Sequence, residues 1–155
     1  MCYNLDMTTI PRELSKVNTH TNSRYLRELR QNLSLSENQK SVLLGALMGD
    51  GCIIPTASRK NYRLQIEQSD KQKEYLFWKY GIFKEFVVTA PKYIVSLDSW
   101  RFRTISHKEF IGVRSVFYRD GKKILPKDLD FLLDPLVLAV WFMDDGGRIG
   151  KGCLL

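Results

Sequence analysis

"LLGALMGDG" occupies residues 43–51 and "LAVWFMDDG" occupies residues 138–146. Each reads as an apolar helical turn or two that ends in Asp-Gly. Asp50 and Asp145 hold the same place in the two copies. The chain therefore repeats a helix whose C-terminal tip carries a carboxylate. Gly45 and Gly49 are four residues apart, which leaves one side of the first helix smooth. A second helix can approach such a face closely. If the two helices lie side by side, Asp50 and Asp145 become neighbours at one end. A single Asp-Gly is only a common turn. Two of them on matching apolar helices need another reason.

That reason has to offset a cost. A carboxylate at a helix C-terminus opposes the helix dipole by ~0.3–1 kcal/mol. Two carboxylates brought together repel each other and shift each other's pKa. A divalent cation reverses both penalties. Paired carboxylates with phosphate oxygens and waters form a hard oxygen site that suits Mg²⁺. Such a site can activate water and stabilise a leaving oxygen in phosphodiester hydrolysis.

Outward from the two tips, the pattern alternates between helix and strand. "SENQ" at 36–39 fits a capping box, with Ser36 as N-cap and Gln39 reaching back. Val42, Leu43, Ala46 and Leu47 then form an apolar stripe up to Gly49. In "NYRLQIEQ", Tyr62, Leu64 and Ile66 alternate with Arg63, Gln65 and Glu67, which predicts a strand with one buried and one polar face. Cys52–Ile54 is its expected partner, with a polar turn at 55–61. Ser69 is the expected cap of a second helix carrying Tyr75, Leu76, Trp78, Ile82 and Phe83. "KYIVSLDSWRFRTIS" predicts a hairpin, with Tyr93, Val95 and Leu97 alternating on one strand and Trp100, Phe102 and Thr104 on the other. A third helix is expected over 107–118 and a loop through "RDGKKILP". Asp134–Pro135 is a strong helix start, a capping carboxylate followed by proline. Antiparallel strand pairs covered by helices mean an α+β fold. Residues 1–34 are polar without a sustained period and read as an arm.

Composition narrows the chemistry. The chain has 155 residues, 24 Lys+Arg against 17 Asp+Glu and a net charge of +7, which suits a polyanion partner. No apolar run approaches the ~18–20 residues of a spanning helix, so no membrane partner is expected. Cys2, Cys52 and Cys153 show no metal spacing, and the two histidines, His20 and His107, lie far apart. Zinc chemistry and Cys–His catalysis are therefore not expected. No apolar leader segment marks a secretory signal.

At the two tips the sequence resembles the LAGLIDADG homing endonucleases. The segments at 43–51 and 138–146 are loose copies of the name motif. "KKILPKDLDFLLDPLVLAVWFMDDGG", residues 122–147, closely resembles the run into the second motif of single-chain members encoded in organelle introns. "YRLQIEQSDK" at 62–71 is similar to the text after their first motif. The resemblance extends from Leu35 to Gly147.

The resemblance implies an αββαββα unit with a saddle-shaped antiparallel sheet, followed by the start of a second unit. It implies that the eighth motif residue binds the metal, here Asp50 and Asp145, with Mg²⁺ as cofactor. Asp144, the seventh, aligns with Gly49 and is given no metal contact. Lys123 matches the family's active-site lysine, with Lys122 as a rival; a solvated loop lysine is the plain alternative. Glu67 or Gln68 matches a polar residue near the metal-bound water, and a strand-end hydrogen bond is the alternative. The sheet would lie in the major groove of double-stranded DNA, which admits a β-ribbon. Asn61, Arg63 and Gln65 on one strand and Arg101 and Arg103 on another would then meet base edges. Arg59 and Lys60 would meet phosphates.

Two-motif members carry a second ββαββα after the second motif helix, whereas here Gly146–Leu155 follow. The expected division is a polar leader over 1–34, a first unit over 35–133, and a second motif helix over 134–155 without the rest of its unit. The expected activity is site-specific DNA cleavage, weak or absent for this stretch by itself. The alternatives are a maturase that assists splicing of intron RNA, or a decayed nucleic-acid-binding remnant. Resemblance to organelle-intron members points to the mitochondrion, with the chloroplast as the alternative.

Overall fold

The computed structural model describes residues 24–150 and 152–154. The chain enters through α1 (Arg24–Asn32). This helix falls inside the segment read from sequence as a leader, while residues 1–23 lie outside the described residues. Its one deeply buried side chain is Leu26. Two polar contacts fasten it: Arg30 Nε donates to Ser106 O, and His107 Nε2 meets Arg30 O, both at 3.0 Å. Tyr25 and Leu29 pack partly buried beside Leu26, so the apolar stripe Tyr25, Leu26 and Leu29 was a readable helical signal inside the charged segment.

The capping box forms as expected. Ser36 Oγ accepts the Gln39 N–H at 3.2 Å, and Gln39 Oε1 accepts the Ser36 N–H at 3.0 Å, opening α2 (Glu37–Met48). The chain then folds as β1 (Cys52–Pro55), β2 (Tyr62–Ser69), α3 (Lys73–Ile82), β3 (Lys92–Ile94), β4 (Ser99–Arg103) and α4 (Lys108–Phe117). A two-strand ribbon follows, β5 (Tyr118–Arg119) and β6 (Lys122–Lys123). Next come α5 (Pro135–Asp145) and a second ribbon, β7 (Gly147–Ile149) and β8 (Gly152–Leu154). The four-stranded sheet runs β1-β2-β4-β3, antiparallel throughout. This is the expected α+β architecture.

One face of the sheet is the floor of the core. Ile53, Leu64, Ile66 and Phe102 are buried there, under Leu76, Phe83, Phe86, Phe110 and Phe117. Arg63, Gln65 and Glu67 of β2 and Arg101 and Arg103 of β4 stay only half-buried on the other face. The α2 stripe of Val42, Leu43, Ala46 and Leu47 completes the core.

The fold turns on the contact between α2 and α5. Asp134 caps α5, its Oδ1 accepting the N–H groups of Leu136 and Val137 at 2.7 Å. Ser41 Oγ on α2 donates to Asp134 Oδ2 at 2.5 Å. Farther along, Gly45 lies on Val137 and Val140, and Gly49 lies on Asp144. Position numbers rise together along the two helices, so the helices are parallel and their tips coincide. A Cβ on Gly45 would sit 2.6 Å from Val137 O and 2.7 Å from Val140 Cβ. Only glycine permits this approach.

Four local expectations are corrected. Ser69 makes no side-chain cap; a 3₁₀ turn, Asp70–Gln72, precedes α3. The β3 strand stops at Ile94, and Val95 and Leu97 leave the sheet in a 3₁₀ turn, 81% and 60% exposed. Asp98, left-handed at φ 47°, fixes that turn: its Oδ1 accepts the Tyr93 O–H at 2.6 Å and its carbonyl accepts the Asp70 N–H at 2.9 Å. The predicted loop after α4 is a hairpin around Asp120 and Gly121, both at positive φ, as a tight two-residue turn requires. Residues 147–154, read as the end of the second motif segment, pair as β7 and β8.

Gly45→Ala is expected to destabilise the protein by ~1–3 kcal/mol through overpacking, in spite of a helix-propensity gain of ~0.5–1 kcal/mol. Gly112, inside α4, has nothing near its absent Cβ. Gly112→Ala is therefore expected to raise stability by about that propensity gain. Urea unfolding of the two variants measures both signs.

Candidate active site and nucleic-acid interface

At the end of α2 the chain turns sharply. Gly49 N–H closes on Gly45 O at 3.2 Å, and Gly51 N–H on Ala46 O at 2.6 Å. Asp50 stands exposed between the two glycines. Lys123 reaches this turn from β6. Its Nζ donates to Gly49 O at 2.5 Å and to Gly51 O at 3.1 Å. The ammonium thus sits against the helix C-terminus that Asp50 crowds, where a cation is favourable. Lys122, its sequence rival, is exposed on the same strand, as β6 alternation demands no burial from either. Asp145 ends α5 and is also exposed.

Asp144 behaves differently from both. Its side chain is fully buried and pairs with Lys79 Nζ at 2.5 Å, itself fully buried. Gln68 Nε2 donates to Asp144 Oδ1 at 3.0 Å and reaches Asp50 Oδ2 at 3.4 Å. The Tyr75 ring lies 4.1 Å from Lys79 Nζ, and its hydroxyl donates to Val140 O at 3.2 Å. Burial pushes the Asp144 carboxyl up and the Lys79 ammonium down, and the attraction between them only partly opposes this. Burial, then the Asp144 charge, pushes the Tyr75 phenol up. Gln68 Oε1 and Asp144 Oδ2 are buried without a hydrogen-bond partner among the described residues.

The sequence offered Glu67 or Gln68 for the position near the site, and strand alternation separates them. Gln68 is 3% exposed and turns to the aspartates. Glu67 turns to the open face, where its carboxylate pairs with Arg101 Nε at 2.7 Å and accepts the Ser99 O–H at 2.6 Å. The hydrogen bond from Arg101 holds its pKa below the usual range. Glu67 is thereby corrected from a residue beside the carboxylates to part of the polar sheet face. Lys79 and Tyr75 were not singled out from the sequence. Lys79 stands three residues after Leu76 and four before Phe83, on the buried stripe of α3. A lysine at that spacing was the readable signal.

The open sheet face is basic and cross-linked. Gln65 lies opposite Arg103 and Glu67 opposite Arg101. Arg103 Nε donates to Gln65 Oε1 at 2.6 Å. Lys92, opposite Arg101 on β3, extends the row. Arg63 lines the same cleft as Lys92, Arg101 and Arg103. Burial and the neighbouring Arg103 lower its pKa, and its Nε is buried without a partner among the described residues. An anion laid on this face would relieve that repulsion. Arg59, Lys60 and Asn61 stand exposed in the β1–β2 turn, with Arg59 at φ 57°.

The buried pair makes a testable statement. Removing one partner of a buried pair costs ~3–5 kcal/mol, whereas replacing both by apolar groups is often neutral or stabilising. Lys79→Met should therefore destabilise strongly, and Lys79→Met/Asp144→Met should restore wild-type stability. The Asp144 pKa already lies above its unfolded value of 3.8, and losing Lys79 raises it further. Stability of the single variant is then retained at low pH and lost as pH rises through that raised value. Denaturation midpoints at about pH 4.5 and about pH 7.5 read the sign.

A basic antiparallel sheet beside two parallel, carboxylate-tipped helices defines the class of protein. The chain belongs to the LAGLIDADG DNA endonuclease family, whose pattern matches residues 40–155. It is 30% identical over 134 residues to the cytochrome b mRNA maturase bI2 of Debaryomyces hansenii, covering 80% of this chain and 51% of the relative. It is 31% identical over 136 residues to the probable intron-encoded endonuclease 1 of Wickerhamomyces canadensis, covering 82% and 58%. The structure of the homing endonuclease I-WcaI bound to its DNA recognition sequence superposes with a TM-score of 0.76 at 28% identity, covering 90% of this chain and 65% of that one. The chain thus spans a little over half the length of these curated relatives.

Proposed function

We propose that the protein is a homing-type, site-specific double-strand DNA endonuclease that hydrolyses phosphodiester bonds with Mg²⁺. The observation that carries this reading is the glycine-mediated contact of α2 and α5, which brings together two helix ends that each bear an exposed aspartate, with Asp50 against Gln68 of β2, a strand whose other face is basic. The solved DNA complex of a chain with the same fold supports it.

Asp50 and Asp145 are the proposed metal ligands. Among the described residues no group of three His, Cys, Asp or Glu forms a closed metal cage. Mg²⁺ characteristically takes one or two carboxylates and fills its shell with water and phosphate oxygens, so two exposed aspartates fit it. When bound, the metal supplies a more acidic water and stabilises the leaving oxygen. Lys123 would add positive charge beside the scissile phosphate, at the turn it already holds. Gln68 would orient Asp50, a positioning role that replaces the contact with water first expected of it. Arg63, Gln65, Arg101 and Arg103 are proposed to contact base edges, with Asn61, and Arg59 and Lys60 to contact phosphates. The kinship to a cytochrome b maturase supports an organelle origin, and the mitochondrion is the proposed site of action.

That kinship also favours a second reading, assistance in splicing intron RNA. A basic αβ surface serves either polymer, and an RNA role would not need both carboxylates.

The test selects bound duplexes from a randomised library and then assays cleavage with Mg²⁺. Asp50→Asn and Asp145→Asn should each lower cleavage by roughly 10²-fold or more while duplex binding persists. Arg63→Ala should weaken binding and reduce the salt slope by about 1. Specific retention of structured RNA, with splicing that survives Asp50→Asn, would establish the second reading instead.

A further inference from the structure

Three aspartates crowd the helix junction, and one of them is withdrawn from it. Asp50 and Asp145 are exposed, while Asp144 is sealed against Lys79 with both side chains fully buried. Stability does not account for this pair. Desolvating two charges costs about what their attraction returns, and an apolar pair would serve as well or better. What an apolar pair cannot supply is geometry at Asp50.

That geometry is specific. Gln68 Nε2 bridges from Asp144 Oδ1, at 3.0 Å, to Asp50 Oδ2, at 3.4 Å. Gly49, the residue before Asp50, packs its backbone directly on the Asp144 side chain, with no room for a Cβ. On the other side, Lys123 holds the carbonyls of Gly49 and Gly51. The turn that carries Asp50 is gripped from both sides by charges of opposite sign. Tyr75 closes the pocket by covering the Lys79 ammonium and anchoring to the α5 backbone.

We infer that Asp144 and Lys79 form a positioning pair that fixes the Asp50 carboxylate through Gln68 and the Gly49–Gly51 turn. The inference rests on the reading of Asp50 and Asp145 as metal ligands. Lys79 serves a second purpose in it. By pairing with Asp144 it keeps that carboxylate buried, apart from the exposed Asp50 and Asp145.

The experiment uses the full chain, isotopically labelled, with Lys79→Met/Asp144→Met and Gln68→Leu variants. Two quantities are read. Three-bond couplings report the Asp50 χ1 rotamer without metal, and paramagnetic relaxation reports Mn²⁺ binding in the presence of duplex DNA. The unaltered protein should hold Asp50 in one dominant rotamer. Both variants should average that rotamer and weaken Mn²⁺ binding at least tenfold, while Lys79→Arg, which keeps the charge pair, should behave as wild type. Gln68→Leu keeps the buried pair and breaks only its link to Asp50, so an unchanged Asp50 rotamer in it overturns the inference even if the double variant fails to fold. An Asp50 rotamer unchanged in the folded variants overturns the inference. If the unaltered protein binds no Mn²⁺, the metal reading fails, and the rotamer measurement still decides the positioning claim.

Discussion

The close parallel approach of α2 and α5 is the constraint on which the rest of the structure depends. Two helices normally stand 8–10 Å apart because side chains separate them. Here Gly45 and Gly49 bring backbone against the Val137 and Asp144 regions of α5. The Ser41–Asp134 hydrogen bond sets the register at one end, and the Asp144 contact with Gly49 sets it at the other. Parallel direction with fixed register forces the two tips to coincide. Antiparallel packing of the same helices would place Asp50 and Asp145 at opposite ends.

Charge organises what that contact brings together. Asp144 faces inward and needs a counter-ion, which Lys79 supplies from α3. Asp50 and Asp145 face outward and stay hydrated. Lys123 offsets the exposed carbonyl end of α2. The sheet separates its two faces by the same strand alternation: Leu64, Ile66 and Gln68 point toward the helices, and Arg63, Gln65 and Glu67 point away. One strand therefore supports both the carboxylate junction and the basic surface. The Glu67–Arg101 and Gln65–Arg103 pairs pre-order that surface across strands, restricting the long side chains before any partner arrives.

The elements with strong local grammar were legible in the sequence. Ser36 with Gln39, Asp134 with Pro135, and the alternation of Tyr62–Glu67 each encode structure within a few residues, and each formed. The repeated Asp-Gly tips, with Gly45 and Gly49, pointed to the helix pair because small residues at that spacing have few other uses. Elements fixed by distant contacts were harder to read. Val95 and Leu97 looked like strand residues, yet Asp98 is bound by Asp70 and Tyr93 and bends the chain out of the sheet. The α1 helix, by contrast, did carry a local signal in Tyr25, Leu26 and Leu29, which the flanking polar residues obscured. Asp144 looked redundant beside Asp145, because its partner Lys79 lies on another helix. Gln68 and Glu67 could be separated only once the register of β2 against the core was known.

The central claim is that Asp50 and Asp145 face a common cation while Asp144 serves as the counter-ion of Lys79. Anomalous diffraction from crystals of the protein with a bound duplex and Mn²⁺ measures this most directly. Manganese density is expected against the carboxylates of Asp50 and Asp145, with the Lys79–Asp144 pair intact beneath it. Manganese coordinated by Asp144, or by neither Asp50 nor Asp145, would contradict it.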